Sequence, residues 1–416
     1  VTADRGGFAG LDACVHCGFC LQACPTFLAT GDEADSPRGR IALMQALERG
    51  DVAATDAALT THLDRCLGCR GCEPVCPSGV AYGRGLEAAR ERIAARRGAP
   101  PLTRLALQAM TSRELSPAVY ALARAVRATG LPRRLAGWGR ARFALGMLGA
   151  SEAMRSAERG VRSGGLAIHS ALRTPHSALL FRGCVMNGLF SHVHDATVRT
   201  LAANGVTTGE VAGQRCCGAL HAHAGLVAEA RALARANVAA FAGNDAPVVV
   251  NSAGCGAILK DYGHLLPEDP AAAAFAARVR DVTEVLAERG PAVGAPLGLR
   301  IAYDPPCHLL HAQGVAEAPR RVLAGIPDAA PIETPGAARC CGSAGLYGLV
   351  QPEMSLAVLA AKLEELRAAA PDVVATGNPG CQMQLGAGLA AAGIAAEARH
   401  PVELLDRSYR AAGYYA

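Results

Sequence analysis

Twice in its first eighty residues the chain spaces four cysteines and a proline in the same way: Cys14, Cys17, Cys20, Cys24 and Pro25, then Cys66, Cys69, Cys72, Cys76 and Pro77. Spacings this short wrap three thiols around one centre, while the fourth cysteine, just before the proline, starts in a new direction. With 416 residues and a 51% hydrophobic composition the chain can bury ordinary cores, so size alone calls for no covalent staples. Its sixteen cysteines fall into clusters at repeated spacings, which points to metal ligation more than to a secreted disulfide framework.

The pattern C-x2-C-x2-C-x3-C-P is the bacterial ferredoxin spacing for [4Fe-4S] clusters, in which the fourth cysteine reaches the other cluster. That rule assigns Cys14, Cys17, Cys20 and Cys76 to one cluster and Cys66, Cys69, Cys72 and Cys24 to a second. Structural zinc and disulfides are the competing readings, but zinc sites are built from paired C-x2-C units rather than three cysteines in a row plus C-P. Two close clusters form a wire for single electrons and do not by themselves oxidise an organic substrate. A helical stretch over residues 41–58 is expected to join the two motifs.

The remaining eight cysteines form a second repeat. Cys184, Cys216, Cys217 and Cys255 are answered by Cys307, Cys340, Cys341 and Cys381, at offsets of 123, 124, 124 and 126 residues. A bridge between sequence neighbours is strained, whereas the vicinal pairs Cys216–Cys217 and Cys340–Cys341 can each face one metal centre, and the glycine after each pair lets the backbone turn beside it. Apolar runs such as SALLF, RIAY, PVVV and DVVA read as buried strands, and segments such as HVHDATVRTLAA and SLAVLAAKLEELRAA as helices. The expected architecture combines α+β and α/β parts: a small helical bis-[4Fe-4S] ferredoxin-like domain over 1–94, a basic helical connector over 95–172, and two repeated α/β lobes over 173–295 and 296–416.

The repeats C-x31-CCG-x36-C and C-x32-CCG-x38-C resemble the cysteine-rich CCG domain of heterodisulfide reductase subunits and related oxidoreductases. That family motif ends in C-x2-C and can hold a non-cubane [4Fe-4S] cluster; here Ser252 and Asn378 stand where the fifth cysteine would be. Each lobe therefore offers four thiols, and one or two further iron–sulfur centres, a zinc ion or a metal-free structural site all stay open. His221, His223 and His308 are candidate substitute ligands, with a hydrogen-bonded structural role as the alternative.

Taken in order, ACVHCGFCLQACPT, GDEADSPRGRI, DRCLGCRGCEPVCPSGVAYGR, GCVMNGLFSHVHDATVR, QRCCGALHAHAG, DPPCHLLHAQGV, RCCGSAGLYGLVQPEM and HPVELLDRSY resemble the iron–sulfur subunits of glycolate oxidase, also called glycolate dehydrogenase, from about Leu11 to Tyr409. The resemblance implies an oxidoreductase complex in which a partner FAD-binding subunit oxidises glycolate, or a close 2-hydroxy acid, and electrons leave this chain toward a quinone or another acceptor. Iron–sulfur subunits of D-lactate and glycerol-3-phosphate dehydrogenases share the parts, as does a catalytic heterodisulfide-reductase-like subunit. No catalytic acid, base or substrate pocket is assigned to this chain.

The sequences Gly83-Gly85-Ala88 and Gly386-Gly388-Ala391 match G-x-G-x-x-A but lack the strand–turn–helix context of a dinucleotide fold, and read as helix-packing glycines. In SPRGRI, Arg38 and Arg40 are expected beside the clusters or a partner, where positive charge favours the reduced centre; a surface loop is the alternative. Residues 90–162 carry fifteen arginines and four glutamates, a local net charge of +11 inside a chain of +5. Such a segment is a candidate for contact with anionic lipid or an acidic partner face, against a helix simply packed on its own chain. Tyr120, Trp138 and Phe143 are too few and no reading motif accompanies them, so nucleic acid is not an expected partner. Lysine occurs only at 260 and 362, a scarcity attributed to genomic composition. The opening VTADRGGFAG has no basic-then-apolar leader and the longest uncharged stretch, residues 373–396, is broken by glycines and a proline, so a cytoplasmic home, with peripheral membrane contact as an addition, is expected.

Overall fold

A computed structural model describes residues 6–154, 177–329 and 331–415. The cysteine loops of the N-terminal part are carried by helices Pro25–Thr30, Pro37–Arg49, Ala57–Asp64 and Tyr82–Arg97. Proline occupies the first turn of the first two, where its missing N–H costs nothing. Ser36 caps the second by accepting from the Gly39 N–H, and Asp56 caps the third by accepting from Leu59. The single helix expected over 41–58 is two: Gly50, at φ 82°, ends the first in a left-handed turn, and the chain restarts at the Asp56 cap. Leu11, Met44, Leu59 and Leu63 are fully buried among these helices, each contributing on the order of 1.5–3 kcal/mol of burial.

The connector forms helices Pro101–Thr111, Ser116–Ala128, Leu131–Leu135 and Arg140–Ala150. It clasps both lobes. A Cβ on Gly188 would run into the Tyr120 ring, and Arg124 donates to the Gly188 carbonyl at 2.8 Å. The last connector helix crosses Pro379–Ala391 through small residues; a Cβ on Gly386 would lie 2.5 Å from that of Ala150. The C-terminal end of the basic segment, with Arg155, Arg159 and Arg162, lies outside the described residues.

Both lobes are parallel sheets flanked by helices, as the α/β reading expects. In the first, β1 (Ser177–Phe181), β2 (Thr207–Glu210), β3 (Val248–Val250) and β4 (Val279–Asp281) lie in the order β2-β1-β3-β4, with Leu179 paired to both Gly209 and Val248. In the second, β5 (Ile301–Tyr303), β6 (Val373–Ala375) and β7 (Glu397–Arg399) follow one another, and Ile332 bridges in parallel to Ala302 on the free side of β5. Ile332 thus occupies the place of β2, and the sequence repeat is a structural one. The uncharged stretch 373–396 is β6 and the thirteen-residue helix Pro379–Ala391.

The lobes share one core. Phe190, Val193 and Val249 from the first pack with Tyr303, Val322 and Tyr409 from the second, and Arg199 grips Asp406 with two 2.8 Å bonds.

Candidate metal centres

Each ferredoxin-type loop turns back on itself at the same two places. The residues flanking the second cysteine are left-handed in both: His16 and Gly18 at φ 52° and 87°, Gly68 and Arg70 at 63° and 60°. A left-handed residue on each side of the second cysteine turns the loop sharply there. One cavity is lined by Cys14, Cys17, Cys20, Cys72 and Cys76, the other by Cys24, Cys66, Cys69 and Cys72; Cys72, Pro37 and Tyr82 stand between them. All sixteen thiols are free. In the second cavity the sulfurs are supported by hydrogen-bonding neighbours: Gly68 N–H reaches Cys66 Sγ at 3.4 Å, Tyr82 Oη lies 3.4 Å from the same sulfur, and Arg40 Nη1 lies 3.9 Å from Cys24 Sγ. Such an environment suits thiolate-ligated iron.

SPRGRI contributes to both cavities. Arg38 lines the first, held by Glu33 at 2.6 Å and donating to the His16 carbonyl at 3.2 Å. Arg40 lines the second and is 1% exposed. It donates to the His62 carbonyl at 2.7 Å, to Thr26 Oγ1 at 2.9 Å and to Asp35 at 3.2 Å, while Arg65 and His62 also hold Asp35. Burial opposes the Arg40 charge, but Cys66, Tyr82, Cys24 and Asp35 outweigh it and keep the guanidinium protonated. Burial likewise raises the Cys66 thiol, yet Arg40 and Arg90, with Tyr82 and the Gly68 amide, leave it lowered. Cys72 is pushed well up by burial and then by Cys69 and Cys66, the cost of crowding thiolates without a cation among them.

In both lobes the cysteines follow the carboxyl ends of strands, where loops after β1 and β3, or β5 and β6, leave in opposite directions and open a crevice. Cys255 and Cys381 each sit third in their helices, Ala253–Lys260 and Pro379–Ala391, and the Cys381 thiol is pushed well up by its contact with Cys341 and then by burial. Gly218 and Gly342 share φ 88°. Sulfurs converge: Cys184 to Cys216 at 3.5 Å and Cys217 to Cys255 at 3.3 Å in one lobe, Cys341 to Cys381 at 3.2 Å in the other, with Cys307 hydrogen-bonded to Cys340.

Ser252 and Asn378, at the positions of the missing cysteines, meet each other. Ser252 Oγ and Asn378 Oδ1 are 3.5 Å apart, and Asn378 Oδ1 accepts the Gly254 N–H at 3.1 Å. The two substitutions therefore tie one lobe to the other. Among the histidines, His308 Nδ1 is 3.5 Å from Cys307 Sγ, while the Cys216 thiol is held well down first by Cys184 and Cys217 and only last by His221. The His223 ring lies tilted against that of His308, 5.2 Å between centroids, and burial, then that neighbour, lowers it to about 3. Gly83 and Gly85 pack in helix Tyr82–Arg97, and a Cβ on Gly85 would come within 2.5 Å of Leu11.

Sequence reasoning passed over Tyr82, Tyr347 and the buried pair Lys362–Asp304, whose ammonium also donates to the Ala337 carbonyl at 2.9 Å behind Cys340 and Cys341. Only the rarity of lysine in the chain marked Lys362. Tyr347 donates to the Arg65 carbonyl at 2.6 Å and joins Leu67, Cys307, Cys340 and Val358 in one buried cluster, against which Cys69 packs. The second ferredoxin-type cavity and the second lobe's sulfurs thus lie wall to wall.

Comparison with known proteins matches residues 10–80 to a 4Fe-4S dicluster domain and residues 178–260 and 301–386 to the cysteine-rich CCG domain. The chain is 36% identical to the probable glycolate oxidase iron-sulfur subunit of Bacillus subtilis and 33% identical to the glycolate oxidase iron-sulfur subunit of Escherichia coli, each over 96% of this chain and 94% of the relative. It is 28% identical to one of the subunits of the fumarate reductase (CoM/CoB) of Methanothermobacter marburgensis, over 96% of this chain and 72% of that protein.

Proposed function

The chain belongs to the iron–sulfur subunits of glycolate oxidase, and from that premise we propose that it relays electrons from a partner FAD subunit, where glycolate is oxidised, toward a quinone. Iron–sulfur clusters, when bound, supply one-electron transfer. This chain's residues hold them: Cys14, Cys17, Cys20 and Cys76 for one [4Fe-4S] cluster, and Cys66, Cys69, Cys72 and Cys24 for the other. The lining of the two cavities by these sulfurs supports that assignment, with Cys72 on the wall between them. The convergence of Cys184, Cys216, Cys217 and Cys255, and of Cys307, Cys340, Cys341 and Cys381, supports a further centre in each lobe.

The observation that carries the reading is the packing of Cys69 against the cluster containing Cys307 and Cys340. It supports a path from the second ferredoxin-type site into the second lobe. Substrate turnover at the second lobe would need sulfurs within reach of a substrate, whereas Cys307, Cys340, Cys341 and Cys381 are all buried. No helix among the described residues is long and apolar enough to cross a membrane.

Co-purification tests the proposal. The chain should bring down a flavoprotein, and anaerobic glycolate should bleach the iron–sulfur absorbance of the complex. Iron-loaded complex that glycolate leaves oxidised while the flavin is reduced would overturn it.

A further inference from the structure

A cleft of about 480 Å³ opens between helices Tyr82–Arg97 and Pro101–Thr111 and the loops that follow the two CCG motifs, a size within the range of roughly 300–1,000 Å³ common for small-molecule sites. Cys66 and Leu67, both buried, line it on the inside. Ile93, Ala94, Leu220 and Leu346 make its walls apolar. Three guanidiniums, of Arg90, Arg97 and Arg140, also line it. Arg90 binds the Cys66 and Leu63 carbonyls through Nη2, leaving its other nitrogens for a guest, and Arg97 is held by Asp64 at 2.6 Å.

This combination fits a flat apolar ring with carbonyl oxygens that accept hydrogen bonds and gain negative charge on reduction. The mouth argues for a lipid-borne guest. Leu102, Leu349 and Val350 are 47%, 38% and 41% exposed there, and Leu105, one turn on from Leu102 in the same helix, is 64% exposed. Exposed apolar side chains gathered at the mouth of a cleft suit a guest that arrives from an apolar phase.

We propose that this cleft binds the headgroup of a quinone. The inference rests on the electron-relay reading above and gives it a place. Reduction to the quinol takes two electrons and two protons. The electrons come from oxidation of the 2-hydroxy acid to the 2-oxo acid on the partner, and the two protons released there balance the two taken up at the cleft.

Photolabelling of the anaerobically purified complex with an azidoquinone, together with equilibrium binding of decylbenzoquinone, tests the site. The label should map to peptides covering residues 93–103 and 346–350. Ala94→Phe, which fills the cleft, should weaken binding by about tenfold or more. Leu102→Asp, at an exposed position where folding is not at stake, should weaken it too, and iron content reports whether either variant is intact. Label on other peptides, wild-type binding by Leu102→Asp and an intact Ala94→Phe, or labelling of the cleft by a soluble anionic acceptor in place of the quinone would overturn the inference. Glycolate-driven reduction of a water-soluble dye separates the two levels: dye reduced without quinone binding removes the cleft alone, and no dye reduction removes the relay reading with it.

Discussion

Cys69, from the second ferredoxin-type loop, packs into the buried cluster that contains Cys307 of the second lobe, and after burial itself the Cys307 thiolate is the strongest influence raising the Cys69 thiol. Two thiolates this close in a dry environment repel. The packing joins two parts of the chain that lie more than two hundred residues apart in sequence. Electron relay needs that proximity more than it needs any single ligand.

Arg40 should be the least replaceable residue outside the cysteines. Arg40→Gln leaves Asp35 buried with Arg65 and His62 alone and removes the positive charge beside Cys24 and Cys66. Breaking a buried pair of this kind costs about 3–5 kcal/mol. The expected result is loss of iron from the second cavity and a lower thermal midpoint; a variant with full iron and wild-type stability would show that the charge is idle.

Tyr82→Phe is the gentler probe. It removes one hydroxyl near Cys66 Sγ and leaves packing intact, a change of about 1 kcal/mol or roughly 40 mV for a one-electron couple. Redox titration followed by EPR should find one potential shifted to more negative values at unchanged iron content.

The CCG glycines should differ in tolerance although both are at φ 88°. A Cβ on Gly342 would come within 2.5 Å of the Ser355 carbonyl oxygen, whereas on Gly218 its nearest neighbour is Ala230 at 3.3 Å. Gly342→Ala is expected to lose the second lobe's centre, and Gly218→Ala to cost less, read as iron content and thermal midpoint. The reverse order would contradict the geometry.

Asn378→Ala should loosen the lobes. It leaves the part-buried Gly254 N–H without its acceptor and removes the contact with Ser252, at a cost of about 0.5–1.5 kcal/mol for one hydrogen bond. Hydrogen exchange should rise at residues 252–256 specifically; protection equal to wild type would mean that water replaces the side chain without loss.

His194 gives a pH signature. Burial, then Arg182, lowers it to about 3, and Asn251 and the Arg182 carbonyl hold it as a neutral ring. Its folded pKa is depressed, so the unfolded chain binds the extra proton and stability falls as pH drops below the unfolded value near 6.5. Relative to His194→Gln, the wild type should lose about 1.4 kcal/mol per pH unit from pH 6.5 down toward the folded value. Equal pH slopes for the two would place the proton elsewhere.

The sequence made the two ferredoxin-type motifs and the doubled lobe legible because ligand spacing and a 124-residue offset at Cys216 and Cys217 are local, countable features. The strands after Leu172 were readable for the same reason: SALLF and PVVV are short apolar runs in parallel sheets buried on both faces. The break at Gly50 was missed because a single glycine inside a helical pattern does not announce a left-handed cap. Tyr82, Tyr347 and Asp304 were missed for a different reason. Their roles depend on contacts across the chain, such as Tyr347 with the Arg65 carbonyl, and no spacing rule encodes those. Ser252 and Asn378 were visible as departures from a motif; that they bind each other was visible only in three dimensions.

Low-temperature EPR of the complex, prepared anaerobically and reduced with glycolate alone, tests the central claim most directly. The account predicts signals from at least two interacting reduced [4Fe-4S] clusters, with one set lost in Cys14→Ser and the other in Cys66→Ser. A complex that turns over glycolate with no paramagnetic iron, or in which both variants lose the same signal, would contradict it.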